Sequence, residues 1–148
     1  MLDFKRILVP YDGSDNAKRA LKQAAAIAES CDNAKLFIAT VAAPKPPTEI
    51  IAKEKAYVFE DAKDDPERTD PAQVMLDESV NLLPADVSHE LLFRVGNPGS
   101  VLLDLAFEKD ADLVVMGNRG RGAIQSLIMG SVSSHMVSNV KCPIFVVK

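Results

Sequence analysis

Residues Arg6 to Asp15 read RILVPYDGSD, a β-branched apolar run followed by four residues that form turns and cap helices. The implied order is strand, turn, helix. From Ser14 to about Cys31, Ala17, Leu21, Ala24, Ala25 and Ala28 recur at helical spacing, with Lys18, Lys22 and Glu29 off the stripe. A face so rich in alanine lets a helix lie close on a sheet. Leu36 to Ala42 (LFIATVA) is apolar without alternation, the pattern of a parallel strand covered on both faces. The opening unit is therefore βαβ.

The same pairing continues along the chain. Ala72 to Leu83 sets Leu76, Val80 and Leu83 at helical spacing, and Val87 to Val95 reads as a strand. Gly96-Asn97-Pro98 then supplies a turn, an N-cap and a proline for the first helical position, ahead of Val101, Leu102, Leu105 and Ala106. Asp112 to Gly117 (DLVVMG) is a buried strand, Val132, Met136 and Val140 mark a last helix, and Pro143 to Val147 (PIFVV) closes the chain as a strand. Five strands alternating with four main helices predict an α/β fold, a doubly wound five-stranded parallel sheet with right-handed crossovers. Such sheets bind ligands beyond the carboxyl ends of their strands, where the strand order reverses. The loops after Tyr11, Val41, Val95 and Met116 are thus where a site is expected.

A length of 148 residues predicts one domain over 1–148. With 17 basic against 21 acidic residues the net charge is −4, which argues against a broad nucleic-acid-binding surface. At 47% hydrophobic and 26% charged, the composition is that of a soluble globular chain. No apolar run approaches a membrane span, and the first residues, MLDFKR, lack the apolar core of a secretory signal, so a cytoplasmic address is expected. Cys31 and Cys142 are far apart and only two histidines accompany them, which removes structural zinc and favours two free thiols. Ala42 to Pro71 differs from the rest: five prolines punctuate it, and eight acids face five bases. It reads as a Pro-rich acidic insert, with room for a short helix over Glu49 to Phe59; it is either a solvated variable loop or a lid or partner surface.

After the fourth strand come Gly117-Asn118-Arg119-Gly120-Arg121-Gly122 and, further on, Gly130-Ser131 opening a helix, so four of the seven glycines crowd one loop. Glycine lets backbone N–H groups approach an anion, and a helix amino terminus offers unpaired donors and partial positive charge. Arg119 and Arg121 add fixed charge, and the Ser131 and Ser133 hydroxyls are further donors. These are the parts of a phosphate cradle, although a plain glycine-rich turn would use the same residues. A Walker A loop requires lysine where Ala123 stands. A dinucleotide fingerprint requires the first strand and a third glycine where Gln125 stands.

Gly117, two residues, Gly120, nine residues and Gly130-Ser131 reproduce the G-x2-G-x9-G-[ST] signature of the nucleotide-binding branch of the universal stress proteins, and the chain resembles that family. Ile7 to Ser14 (ILVPYDGS), Gly96-Asn97-Pro98, Ala111 to Gly120 (ADLVVMGNRG) and Cys142 to Val147 (CPIFVV) carry the likeness across all but the insert. The resemblance implies a fold of the adenine nucleotide α-hydrolase-like (Rossmann-like) type, bound ATP or else ADP or AMP, and a homodimer through the C-terminal strand. It implies that Pro10 and Asp12 lie by the adenosine and ribose, and that Val41 meets the base. Met116 and Gly117 would border the sugar and α-phosphate. Arg119, Gly120, Gly130, Ser131, Val132 and Ser133 would surround the phosphates.

From the residues alone, Asp12 serves equally as a ribose acceptor or as an Asx turn former before Gly13. With no carboxylate cluster beside the glycine loop, Mg2+ would ride on the phosphates and keep most of its water. Hydrolysis needs a base aimed at water near the γ-phosphate, and none is evident; His135 reads as a packing or surface residue and His89 as less still. No catalytic constellation emerges. The expected role is an ATP-binding stress-response protein acting through nucleotide-dependent conformation or association, with at most slow hydrolysis. Two alternatives stay open. One is a nucleotide-free dimerisation module. The other is an ATP-using enzyme of the same fold, although the S-G-G-x-D-S pyrophosphate loop of such enzymes is replaced by Asp12-Gly13-Ser14-Asp15.

Overall fold

The computed structural model describes residues 3–44, 70–119 and 129–148. The strands are β1 (Arg6–Pro10), β2 (Lys35–Ala42), β3 (Ser88–Val95), β4 (Leu113–Gly117) and β5 (Ile144–Val147). Between them run α1 (Asp15–Ser30), α2 (Pro71–Glu78), α3 (Pro98–Glu108) and α4 (Ser131–Asn139). All five strands are parallel, in the order β3-β2-β1-β4-β5, so the order reverses between β1 and β4. The helix expected over Glu49 to Phe59, and Gly120 itself, lie outside the described residues. Both ends of the insert belong to regular structure: β2 runs through Ala42, and Asp70 caps α2 with Pro71 as its first residue. The helix expected over Ala72 to Leu83 tightens after Glu78 into a 3-10 turn, Ser79–Leu82.

Strand side chains divide by parity. Ile7, Val9, Leu36, Ile38, Leu113 and Val115 face α1 and α2; Leu8, Phe37, Ala39, Val114 and Met116 face α3 and α4. On α1 the whole alanine stripe, with Ala20 added to it, is buried. Small side chains there bring the helix axis close to the sheet, and this closeness shapes the site below.

Helix starts separate into two kinds. The Ser14 hydroxyl accepts from the Ala17 amide at 3.1 Å, Asp70 from Ala72 at 2.9 Å and Asn97 from Ser100 at 3.1 Å. These caps satisfy amides that the first turn of a helix leaves unpaired. By contrast α4 begins at Gly130, which has no side chain to offer.

Candidate functional site

β1 and β4 part company before either ends. Their paired register stops at Leu8↔Val114, whereas β4 stays beside β5 as far as Gly117↔Val147. In β1 the Arg6 carbonyl faces β4, accepting from Asp112, and the Tyr11 amide faces β2, donating to Ala39 at 2.7 Å. Alternation then turns the nitrogen of Pro10 toward β4, where no ladder bond is made. A residue without an N–H therefore costs nothing at this point of a central strand. The β1–β4 register thus ends where the strand order reverses, the place where sheets of this kind bind ligands.

The turn out of β1 forms one wall. Asp12 Oδ1 accepts from the Ser14 amide at 2.9 Å, an Asx turn, and Gly13 has φ +77°. That conformation strains a residue bearing a Cβ. Thr40 is buried, and its hydroxyl donates to the Tyr11 carbonyl at 2.8 Å, locking this turn to the end of β2. A cleft of ≈ 880 Å³ lies beside it, lined by Tyr11, Asp12, Thr40 and Val41 on the strand side and by Val74 and Met75 of α2 opposite. Lys18, Asp70 and Glu78 put charge around it. Concave sites of a few hundred to about 1,000 Å³ hold small molecules and cofactors.

The exit from β4 forms the other wall. A Cβ on Gly117 would stand 2.8 Å from Asn16 Cβ, so the first turn of α1 rests directly on this backbone. The Gly117 carbonyl accepts the Ser133 hydroxyl at 2.7 Å, and the Asn118 carbonyl accepts the Gly130 amide at 2.6 Å. Both feet of the glycine loop thus meet. Asn16 Nδ2 donates to Asn118 Oδ1 at 2.7 Å and reaches the Arg119 carbonyl at 3.5 Å.

The residues singled out in the sequence fall into three groups. Asp12 and Val41 line the cleft. Gly117, Arg119, Gly130, Ser131, Val132 and Ser133 gather at the β4 exit and the start of α4, with Ser131 exposed and Ser133 buried. Pro10 is buried at the end of β1, while the Met116 side chain packs into the core against α3 and α4 and its backbone lies in register with Val146 of β5. Ser133 spends its proton within the protein. His135 packs against Gly99, and its buried Nε2 has no hydrogen-bond partner among the described residues. His89 is exposed on β3, far from the cleft in the fold. Among the described residues, no three His, Cys, Asp or Glu side chains gather to hold a metal.

Sequence reasoning passed over Asn16, Asn118, Thr40 and the α2 wall. The two asparagines are 102 positions apart, and no local pattern joins them.

The universal stress protein family model matches residues 3–148. The chain belongs to the universal stress protein family. A Thermus aquaticus relative, the universal stress protein in the QAH/OAS sulfhydrylase 3′ region, is 37% identical over 98% of this chain and 99% of its own length. Among solved structures, the universal stress protein UspA from Lactobacillus plantarum superposes with a TM-score of 0.73 at 22% identity, covering 100% of both chains, a likeness of fold. A universal stress protein crystallised in complex with cAMP superposes with a TM-score of 0.67 at 30% identity, covering 99% of this chain and 98% of that one. In this universal stress protein, no helix of the described residues is long and apolar enough to cross a membrane.

Proposed function

We propose that this universal stress protein binds an adenine nucleotide, ATP first among them and ADP or AMP as alternatives, at the carboxyl ends of β1 and β4. The observation that carries the reading is the end of the β1–β4 register before Pro10, with an open cleft by Asp12 and Val41 at the exit of β1 and a helix start capped by glycine after β4. The nucleoside would occupy the cleft by Asp12 and Val41. Its phosphates would meet the backbone of Gly117, Gly120 and Gly130, the start of α4 and Arg119, where amide donors and the helix dipole favour negative charge. The Ser131 hydroxyl stands at the same place. Mg2+ would arrive on the phosphates. The relative in complex with cAMP supports the choice of an adenine nucleotide.

Among the described residues no base is positioned for hydrolysis, so the proposed role is binding, read out by conformation or by association of two copies through β5. A cytoplasmic setting and one domain over 1–148 belong to the same reading. The deciding experiment is mass spectrometry of nucleotide released from gently purified protein, with ATP titration of the wild type and Gly130→Val. ATP released from the wild type and affinity lost in the variant are expected. A wild type with neither released nucleotide nor titratable affinity overturns the reading in favour of a nucleotide-free dimerisation module.

A further inference from the structure

We propose that Asn16 is a positioning residue that, with Arg19, sets where the glycine loop leaves β4 and ties that point to the end of β5. Its consequence for ligand binding rests on the nucleotide reading above; the positioning itself does not. A guanidinium has donors only, so the Asn16 atom that meets Arg19 Nη2 is Oδ1. Nδ2 must then point the other way, and there it finds Asn118 Oδ1 at 2.7 Å. Each amide is left with one orientation, and the three side chains form a directed relay from Arg19 through Asn16 to Asn118.

Both ends of the relay are anchored. Asn118 is buried, its amide donates to the Val147 carbonyl at 2.8 Å, and its carbonyl accepts from Gly130 at 2.6 Å. Arg19 Nε donates to the Lys148 carbonyl at 3.0 Å. Two consecutive residues at the end of β5 are therefore clasped from different sides, one by the loop and one by α1. The close approach of Asn16 to Gly117 removes the slack that would let α1 slide. Amides meant for an anion act only when held within a fraction of an ångström of the productive geometry. Asn16 supplies that hold from outside the loop.

The test is amide hydrogen exchange on the nucleotide-free protein, followed by ATP titration. Asn16→Ala removes the donor to Asn118, and Asn16→Asp keeps the acceptor for Arg19 but offers no donor. In both Asn16 variants, exchange at Asn118, Arg119 and Gly130 is expected to rise about tenfold, the equivalent of one hydrogen bond, with β2 and β3 unchanged. ATP affinity should fall about tenfold in Asn16→Ala. Wild-type exchange at those amides, or equal acceleration across every strand, overturns the positioning role. Faster local exchange with undiminished ATP affinity overturns its bearing on the ligand. A wild type that binds no ATP sinks the nucleotide reading, and exchange alone then decides the role of Asn16.

Discussion

At Gly117 the controlling quantity is the 2.8 Å that separates a hypothetical Cβ from Asn16 Cβ, with backbone atoms of Asn16 at 3.0 and 3.2 Å behind it. Backbone does not step aside as the tip of a side chain can, so Gly117→Ala must push α1 away from β4. The expected cost is about 1–3 kcal/mol, the range for overpacking a close contact, measured by urea denaturation. Asp12 illustrates a different point. Its Asx bond to Ser14 and its place on the cleft wall are compatible, because a carboxylate can accept several bonds. At Cys142, burial raises the thiol pKa, and the Asp112 carboxylate pushes the same way. A raised folded-state pKa means that folding favours the protonated form. Its contribution is intact below the ordinary thiol value and is lost as pH climbs through the folded one. Iodoacetamide should accordingly modify Cys142 more slowly than a free thiol peptide at pH 8, a difference readable by mass spectrometry.

Among the elements, α1 carries the most of the design. Its alanine stripe was legible as a repeat, and Ser14 as a cap, because both are local signals with a period or a position. Ser14→Ala should lower stability by about 1 kcal/mol through loss of the bond to Ala17, seen as a reduced thermal midpoint. The start of α3 was equally legible at Asn97 and Pro98, whereas the Asp70 cap of α2 fell within what read as the insert. Strand limits moved by a residue or so, since β4 begins at Leu113 while Asp112 turns its carboxylate to the Lys5 and Arg6 amides at 2.8 and 3.0 Å. The 3-10 ending of α2 had no such signal. It is stabilised by the buried Ser79 hydroxyl donating to the Leu76 carbonyl at 2.5 Å. The amino ends of the strands have a structure of their own. Arg6, Lys35 and Lys109 stand 4.9, 5.3 and 5.8 Å from the Phe37 ring, and Glu90 bridges the two lysines. That floor lies at the opposite end of the strands from the cleft.

For the whole molecule, the order β3-β2-β1-β4-β5 leaves β5 at an edge, and Phe145 on it is 49% exposed. Among the described residues no strand pairs with the far side of β5, and an edge of this kind with an open aromatic ring suits cover by a second copy of the same strand. On the proposed association of two copies through β5, Phe145→Lys is expected to shift the protein toward monomer in light scattering while leaving the fold intact by circular dichroism. The sequence by itself determined the α/β class, the alternation of strands and helices, the glycine-rich exit of β4 and the family, since each is written in period, spacing or residue type within a short window. Only the tertiary structure decided that the β1–β4 register ends before Pro10 and that Ser133 spends its hydroxyl on Gly117. It alone also showed that Asn16 reaches Asn118 across 102 positions. The physical reason is that these depend on which strands become neighbours and on how closely an alanine-faced helix settles on them. Those distances between remote segments leave no local pattern in the chain.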